Sequence, residues 1–354
     1  MYLLQDVWHL LTRVLKTLYL AILIIVCPFG FLYSQTFGDG TYRFLSLTNS
    51  AKVAALGGTQ IAFTDNDLDL TFYNPSLLSD SMRNQLSINY VNYIAGIGIG
   101  YVAFAPNFRG ANGFAAGIHY VNYGTFQGAS ETGQLTETFS AAEYAINLIY
   151  SRKISSQLKT GINLKPIISS FENYHSIGLA VDLGITFTGK DGLTAISFVL
   201  KNYGSQITTY YENGDHEELP VDIQLGFTKR LARSPIRFFA TVYHLNVWDL
   251  SYKSRLSDPV QKRELSENIT SQLMRHLVFG TEIYPLQHIT LLLGYNYLRQ
   301  KDLAISNRPG MVGFSAGLGI SIAKFNLNYS VSSFHLGATA HYFSFNTNLS
   351  QFIH

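Results

Sequence analysis

Residues 157–188, QLKTGINLKPIISSFENYHSIGLAVDLGITFT, contain two consecutive segments in which apolar and polar residues alternate. In the first segment, Leu158, Ile162 and Leu164 are each followed by lysine or asparagine, so the two kinds of side chain separate onto opposite faces of an extended chain. In the second segment the apolar positions run from Ile177 to Phe187. A helix would scatter both sets around its axis, so the stretch predicts two long amphipathic β-strands.

The same alternation recurs from residue 84 to the end of the chain and predicts fourteen strands. An even number of strands suits a bacterial barrel, because it returns both ends of the chain to the same side of the membrane. Most of these segments also exceed the roughly 5 to 6 residues that are usual for strands of soluble sheets. The predicted strands are residues 84–95, 96–107, 112–125, 139–151, 157–170, 174–188, 192–202, 219–229, 235–248, 272–285, 287–299, 311–322, 324–334 and 337–349.

The connections between these strands predict the orientation of the barrel. Those on one side are short, such as Lys190–Asp191 and Ala323, and those on the other side are long. Short turns inside and long loops outside are typical of outer-membrane barrels. The predicted fold is therefore all-β, a 14-stranded antiparallel transmembrane outer-membrane β-barrel, and a soluble β-sandwich or jelly roll is the alternative. The long connections are residues 126–138, 203–218, 249–271 and 300–310.

The composition of the 354-residue chain supports a membrane barrel and argues against a nucleic-acid-binding, disulfide-bonded or thiolate-metal protein. Charged residues and aromatic residues each make up 14%, which suits strands with aromatic girdles. The formal net charge of +2 is too small for a nucleic-acid partner, so outer-membrane lipid is the expected surrounding. The one cysteine, Cys27, lies in the N-terminal apolar run, so no disulfide and no thiolate metal site are expected in the mature chain.

The N-terminus predicts a secretory signal peptide over residues 1–34. Arg13 and Lys16 precede an apolar run from Leu18 to Cys27, and a small residue follows at Ser34. A single transmembrane anchor and a lipoprotein leader are the alternatives for this segment.

The rest of the chain divides into an N-terminal segment, residues 35–83, and the barrel, residues 84–354. The N-terminal segment is predicted to be plug-like or periplasmic. It contains a short predicted helix over residues 49–56, because Gly57 and Gly58 follow as helix-ending residues. We expect this helical segment in or below the barrel.

Two motifs resemble sites of known chemistry, and both are assigned structural roles. Gly313–Gly317 matches the G-x-S-x-G pattern of serine hydrolases, but that pattern needs a turn between a strand and a helix, whereas Ser315 lies in an alternating strand. Asp65, Asp67 and Asp69 have the spacing of a calcium loop that lacks its glycine and its final carboxylate, so a turn or helix-capping role is predicted. We therefore predict no enzyme activity, no catalytic residue, no metal site and no cofactor.

Charged and imidazole side chains in the strands are predicted to face the barrel interior. Such side chains usually face a lumen in which they are solvated or paired with one another. The functional alternative is that they line a channel and select what passes. A lumen this polar favours a scaffold that holds a partner over a conduit for fatty acids. These residues are Glu143, Lys159, Lys165, Asp182, Asp222, Arg237, His276, Glu282 and His341.

The long connections carry the candidate partner-binding residues, because binding concentrates on loops that a rigid frame holds. One loop is aromatic and acidic, and another is basic, which is the chemistry that protein interfaces favour. Ordinary solvated surface is the alternative. The candidates are Tyr210, Tyr211, Glu212, Asp215 and Glu217 in the first loop and Arg255, Lys262 and Arg263 in the second.

Residues 49–80, NSAKVAALGGTQIAFTDNDLDLTFYNPSLLSD, combine a small-residue helix, a glycine pair, an aspartate-rich turn and an Asn-Pro step before the first strand. Together with residues 200–231 and 239–250, this segment resembles the fatty-acid-transporter-like (FadL-like) barrels in the PorV and PorQ group of the type IX secretion system. Within that group the PorQ branch is the more similar. The motif positions are Gly57, Gly58, Asn74 and Pro75.

The resemblance implies a fourteen-stranded barrel in a cell-surface attachment complex. Its implied role is non-enzymatic, holding the surface protein PorZ alongside PorV and the sortase PorU. Two other functions remain open: a FadL-like transporter of hydrophobic compounds, and a PorV-like shuttle for secreted cargo.

Overall fold

The computed structural model describes residues 40–107, 112–130, 132–212, 214–250, 268–304, 310–335 and 337–352. The strands are β1 Gln85–Asn92, β2 Gly98–Phe104, β3 Asn112–Ala129, β4 Leu135–Lys153, β5 Leu158–Phe171, β6 Tyr174–Thr188, β7 Thr194–Thr208, β8 Asp222–Arg230, β9 Ile236–Val242, β10 Leu277–Leu286, β11 Ile289–Asn296, β12 Phe314–Ile322, β13 Phe325–His335 and β14 Ala338–Asn348. The α-helices are α1 Ala51–Ala55, α2 Ile269–Arg275 and α3 Tyr297–Leu303. The 3-10 helices are Arg43–Ser46, Leu68–Phe72, Pro75–Leu77, Asp80–Met82, Ile94–Gly96 and Leu349–Gln351. None of these helices is long and apolar enough to cross a membrane.

The fourteen strands form one closed barrel in which each strand pairs with its neighbours in sequence. β1 and β14 close the barrel in an antiparallel register that runs from Gln85 opposite Asn348 to Asn92 opposite His341. Closure lets strands satisfy one another's backbone hydrogen bonds where no water is present. The predicted 14-stranded antiparallel barrel is confirmed.

The two faces of each strand are chemically opposite. In β5, Ile162 and Leu164 are 40% and 37% exposed, whereas Asn163 and Lys165 are fully buried. An outward apolar face needs a lipid environment, and a buried polar face needs polar partners inside.

Two predicted strands are shorter than expected because helices occupy one end of each. Residues 272–275 belong to α2, and residues 297–299 belong to α3. The Asn296 side chain accepts a hydrogen bond from the backbone N–H of Arg299 at 2.9 Å, which caps α3 and ends β11.

Two predicted long connections are partly strand. β3 pairs with β2 only as far as Asn122, and β4 pairs with β5 only as far as Ala141. Beyond these residues β3 and β4 pair with each other and form a ribbon that projects past the rim. β7 likewise continues to Thr208, which shortens the loop predicted over residues 203–218. We call this end of the barrel the long-loop end and the opposite end the short-turn end.

Residues 40–83, which we call the plug, fill the interior of the barrel. The plug begins at the long-loop end, where the backbone N–H of Thr41 donates to the carbonyl of Glu218 at 3.0 Å. It finishes at the short-turn end, where the Ser151 hydroxyl donates to the carbonyl of Leu78 at 2.7 Å. In between, α1 packs against β12 and β13, and the 3-10 helix Pro75–Leu77 packs against β5 and β6.

Candidate functional site: the contact between plug and wall

A charged cluster joins the plug to β9 and β10 near the short-turn end. The Arg237 guanidinium donates to both carboxylate oxygens of Asp65 at 2.6 Å, and its Nε donates to Glu282 at 2.7 Å. The Lys52 ammonium lies 2.7 Å from Asp65 and 3.5 Å from Glu282. Bidentate contacts of this kind are among the strongest polar contacts in proteins. Arg237 and Glu282 point inward as predicted, and charges of the plug compensate theirs.

Two further carboxylates of the plug complete its contact with β1 and β14. Asp67 accepts a hydrogen bond from the backbone N–H of Asp69 at 3.1 Å and so caps the 3-10 helix Leu68–Phe72, which is the predicted kind of role. Asp69 is fully buried and accepts from Asn89 at 2.7 Å and from Asn346 at 3.1 Å. In the part of the chain that the structure describes, no group of three or more His, Cys, Asp or Glu side chains is arranged to hold a metal ion.

A second buried ion pair lies within the wall itself. The Lys165 ammonium is 2.6 Å from Asp182, and both side chains are fully buried. Asn202 serves both partners, since its side-chain oxygen accepts from Lys165 at 2.9 Å and its backbone N–H donates to Asp182 at 2.8 Å. Removing one member of a buried pair typically costs ~3–5 kcal/mol, because the other charge is left uncompensated.

The glycine pair of the family motif ends helix α1 beside β10. Gly57 and Gly58 have φ angles of 89° and 98°, in the left-handed region that favours glycine. A Cβ on Gly57 would also lie 2.6 Å from the side chain of Val278. Both the backbone conformation and the close approach to the wall therefore favour glycine here.

The Asn-Pro step of the same motif connects the plug to β5 and β6. The Asn74 side-chain nitrogen donates to the Thr186 hydroxyl at 3.0 Å, and its oxygen accepts from the backbone N–H of Ser76 at 3.0 Å. Pro75 lies against Gly161, where a Cβ would come within 2.3 Å of the Pro75 carbonyl carbon. All four motif residues thus lie in the plug where it contacts the wall.

The predicted partner-binding residues have unequal exposure. The Tyr210 hydroxyl donates to Ser169 at 2.7 Å, and burial raises the pKa of the Tyr210 phenol, so this residue is part of the loop's anchorage. Tyr211 is 64% exposed and its ring packs on Tyr174 at 4.8 Å. Glu212, Asp215 and Glu217 are exposed. Arg255, Lys262 and Arg263 lie outside the described residues.

His341, which was predicted to line the barrel interior, faces outward instead. His341 lies on the outward face of β14, where its ring nitrogen is 2.8 Å from the Tyr329 hydroxyl, while the next residue, Tyr342, is buried inside. The prediction that His341 lines the interior is therefore wrong. His276 is buried beside the end of α2, with Nδ1 2.9 Å from the carbonyl of Tyr243. The other predicted residues that face inward are Glu143, Lys159, Lys165, Asp182, Asp222, Arg237 and Glu282.

Ser315 has no catalytic surroundings. It is 4% exposed on the inward face of β12. Its hydroxyl donates to Ser332 at 3.0 Å and accepts from Arg299 at 3.2 Å. Neither partner is a general base of the kind that a serine nucleophile needs.

Three cations at the contact between plug and wall were not identified from the sequence: Lys52, Lys201 and Arg299. Lys52 stands out in the sequence as the one charged residue of an otherwise small and apolar helix. Lys201 continues the inward series of Ser197 and Val199 along β7, which was a usable signal. Arg299 falls in a segment predicted as strand, so the alternation of apolar and polar residues could not place it on helix α3.

Two polar cavities lie inside the described part of the barrel, and an apolar cleft lies on its outside. A cavity of about 300 Å³ adjoins Lys52 and Asp65, and another of about 150 Å³ adjoins Lys201 and Arg299. An apolar cleft of about 600 Å³ lies on the outward, lipid-facing side of β9 to β14. Its walls are the rings of Phe238, Phe279, Tyr295 and Phe314.

Comparison with known proteins bears on this architecture. No family model matches the sequence, and no curated protein matches it. Among solved structures, the toluene transporter TodX of Pseudomonas putida shares 14% identity at a TM-score of 0.50, covering 86% of this chain and 99% of that chain. A TodX mutant named deltaS2S3 shares 13% identity at a TM-score of 0.52, covering 85% of this chain and 99% of that chain.

This chain is an outer-membrane β-barrel. A Pseudomonas aeruginosa FadL homologue is also similar, at 12% identity and a TM-score of 0.45, over 85% of this chain and 98% of that one. Identities this low show the fold alone, the closed antiparallel barrel described above. TodX is named as a toluene transporter.

Proposed function

We propose that this barrel is a non-enzymatic component of the type IX secretion attachment complex that anchors a surface partner of the PorZ kind near the sortase PorU and PorV. The observation that carries the proposal is the plug-filled interior, in which Arg237 of the wall pairs with Asp65 of the plug and Glu282 of the wall pairs with Lys52 of the plug. The resemblance of residues 49–80 to the PorV and PorQ group supplies the identity of the complex.

The polar interior argues against a path for apolar compounds. A hydrophobic molecule crossing the barrel would have to displace the contacts among Lys52, Asp65 and Arg237. Each such rupture leaves a buried charge without a partner, at ~3–5 kcal/mol. A fixed plug is instead suited to a rigid frame that presents its loops.

The long-loop end offers a surface for such a partner. Tyr211 is 64% exposed, and the acidic side chains of Glu212 and Asp215 are exposed beside it. An exposed aromatic ring among charged residues is the usual chemistry of a protein-binding hot spot. Tyr210 is anchored beneath this surface by Ser169.

The test is the recovery of partners with a tagged chain extracted gently from native outer membranes. One variant carries Tyr211→Ser, Glu212→Ser and Asp215→Ser, and the matched control carries Lys153→Ser, Lys190→Ser and Arg233→Ser at the short-turn end. We expect mass spectrometry to find at least a tenfold loss of a large surface partner in the first variant and none in the control. Undiminished recovery with the loop variant would overturn the loop assignment. Recovery of secreted cargo alone would favour a PorV-like shuttle.

A second candidate is a FadL-like transporter of hydrophobic compounds. The similarity to TodX, which is named as a toluene transporter, favours it at the level of fold. The test is uptake of a monoaromatic hydrocarbon by cells that produce the barrel, against cells that lack it. Barrel-dependent uptake would establish this function and displace the scaffold.

A further inference from the structure

The cavity of about 150 Å³ between plug and wall is lined by two cations. Lys201 comes from β7 and Arg299 from α3, and Asp222 is the one carboxylate among the described lining residues. Ser46 also lines the cavity and is exposed, so the cavity communicates with solvent. The described lining therefore carries an excess of positive charge.

The Lys201 ammonium has no hydrogen-bond acceptor among the described residues. Lys201 is 6% exposed, yet within the described chain it has neither a hydrogen bond nor an ion pair. Its polar end instead lies over the rings of Phe72 and Tyr73, at 5.4 and 5.2 Å from their centres. An ammonium has three donors, so those that no described residue takes are left to water or to a ligand in the cavity.

The nearby carboxylates are engaged elsewhere. Asp182 accepts from Lys165 and from the backbone N–H of Asn202 at 2.8 Å. Asp222 accepts from Gln224 at 2.6 Å and from the backbone N–H of His244 at 2.6 Å. Asp222 lies directly opposite Lys201 in the pairing of β7 with β8 and both carboxylates attract its charge, but within the described chain neither forms an ion pair with it.

Strand alternation places Lys201 on the inward side, and a β-bulge beside it turns Asn202 inward as well. The register between β6 and β7 shifts between Val181 and Leu183, opposite Lys201 and Asn202. Asn202 has a φ angle of 56°, and both it and Lys201 are buried on the inward side. Bulges of this kind re-aim side chains, and they occur preferentially beside functional sites.

Arg299 also has donors to spare. One terminal nitrogen donates to Ser315 at 3.2 Å and the other to the carbonyl of Gly57 at 3.3 Å. The guanidinium lies over the ring of Phe334 at 4.3 Å. No carboxylate among the described residues forms an ion pair with it. Among the described residues, two of its five N–H donors have an oxygen acceptor.

We propose that this cavity binds a small inorganic oxyanion of the phosphate or sulfate class. The Lys201 ammonium and the Arg299 guanidinium donate to its oxygens, since oxyanions are the natural partners of clustered cations with unused donors. The bound anion links β7 to α3 across Gly57 and Gly58, and so secures the plug. The small, polar cavity leaves no room for a long apolar tail.

The first test is thermal unfolding of the purified barrel in detergent, after dialysis into chloride buffer. We expect inorganic phosphate and sulfate to raise the Tm in a saturable way, while sodium chloride at equal ionic strength does not, because a ligand that binds only the folded state stabilises it. Isothermal titration calorimetry of the same protein with phosphate should give one site. The absence of both the shift and the heat would overturn the proposal.

Variants locate the site. Lys201→Met keeps the side-chain length, so we expect it to fold at least as stably in chloride buffer and to lose the phosphate shift. Lys229→Met, which removes a lysine exposed at the short-turn end, should keep the full shift. A Lys201→Met protein with the wild-type shift would place the anion elsewhere and overturn the assignment. If Lys201→Met does not fold, Arg299→Lys should weaken phosphate binding in calorimetry, and wild-type affinity there would overturn the assignment.

Discussion

At the scale of single residues, glycines of the wall allow the plug to pack closely inside the barrel. A Cβ on Gly161 would lie 2.4 Å from the backbone nitrogen of Ser76, and a Cβ on Gly294 would lie 2.3 Å from the carbonyl carbon of Leu56. Both atoms they would meet belong to the plug backbone, which cannot rotate away. These glycines let the plug and the wall touch through their main chains.

Gly161→Ala should therefore loosen the plug. The added methyl group meets the Pro75–Ser76 backbone, and overpacking of this kind costs ~1–3 kcal/mol. The measurement is the urea midpoint of unfolding in detergent. Gly98→Ala is the control, because nothing lies within 4 Å of a Cβ at that position of β2. Equal midpoints for the two variants would contradict the close contact.

A second prediction at this scale concerns the ion pairs. Arg237→Met leaves the buried Glu282 and the Asp65 carboxylate without their guanidinium, which should cost ~3–5 kcal/mol of unfolding free energy. Lys229→Met breaks an exposed pair with Asp191 and should change the unfolding free energy by ~0–1 kcal/mol. Urea unfolding of both variants measures the difference. A loss in Arg237→Met as small as in Lys229→Met would show that the cluster does not hold the plug.

At the scale of elements, the β3–β4 ribbon stands apart from the barrel that carries it. Past Asn122 and Ala141 the two strands pair only with each other among the described residues. Phe126 and Phe139 stack at 5.3 Å, which stabilises the ribbon internally. The stability of the wall should thus be independent of the ribbon.

Trimming the ribbon tests that independence. Replacing residues 126–139 by Asn-Gly joins Thr125 to Ser140, which lie directly opposite each other, through a two-residue turn. We expect normal insertion in the outer membrane and a urea midpoint close to that of the wild type, since the pairing of the wall strands in the described chain is left intact. A clear fall in the midpoint would mean that the ribbon packs on neighbouring loops.

At the scale of the whole molecule, the plug decides whether this is a frame or a conduit. Its chain runs from the long-loop end at Thr41 to the short-turn end at Leu78, with polar contacts to the wall along the way. Passage through the interior would require the plug to move. A scaffold would require it to stay.

A disulfide across the contact separates these cases. In Ala62→Cys with Gly226→Cys, the new Cβ would lie 3.2 Å from that of residue 62, near the ~3.5–4.5 Å of natural disulfides, once the Ile61 side chain shifts. We expect the oxidised protein to retain its surface partner as fully as the reduced one. Each single-cysteine variant is a control. Hydrocarbon uptake that disappears on oxidation and returns on reduction would instead establish a transporter with a mobile plug.

The strands and their faces were predictable from the sequence because alternation is a local property. The apolar Ile162 faces the lipid and the polar Asn163 faces polar partners inside, so the residue type alone predicts the face. His341 shows the limit of this method. Its face follows from pairing, since Val91, buried on the inner face of β1, lies opposite Tyr342 and Asn92 lies opposite His341.

The sequence by itself determined the barrel, its strand number and the polarity of its two faces, since each depends on residues close together in the chain. Only the tertiary structure decided what the interior charges do. Arg237 and Asp65 are 172 residues apart, and closure of the barrel around the plug brings them together. The same closure places Lys201 and Arg299 beside one small cavity with Asp222, and within the described chain neither cation forms an ion pair there.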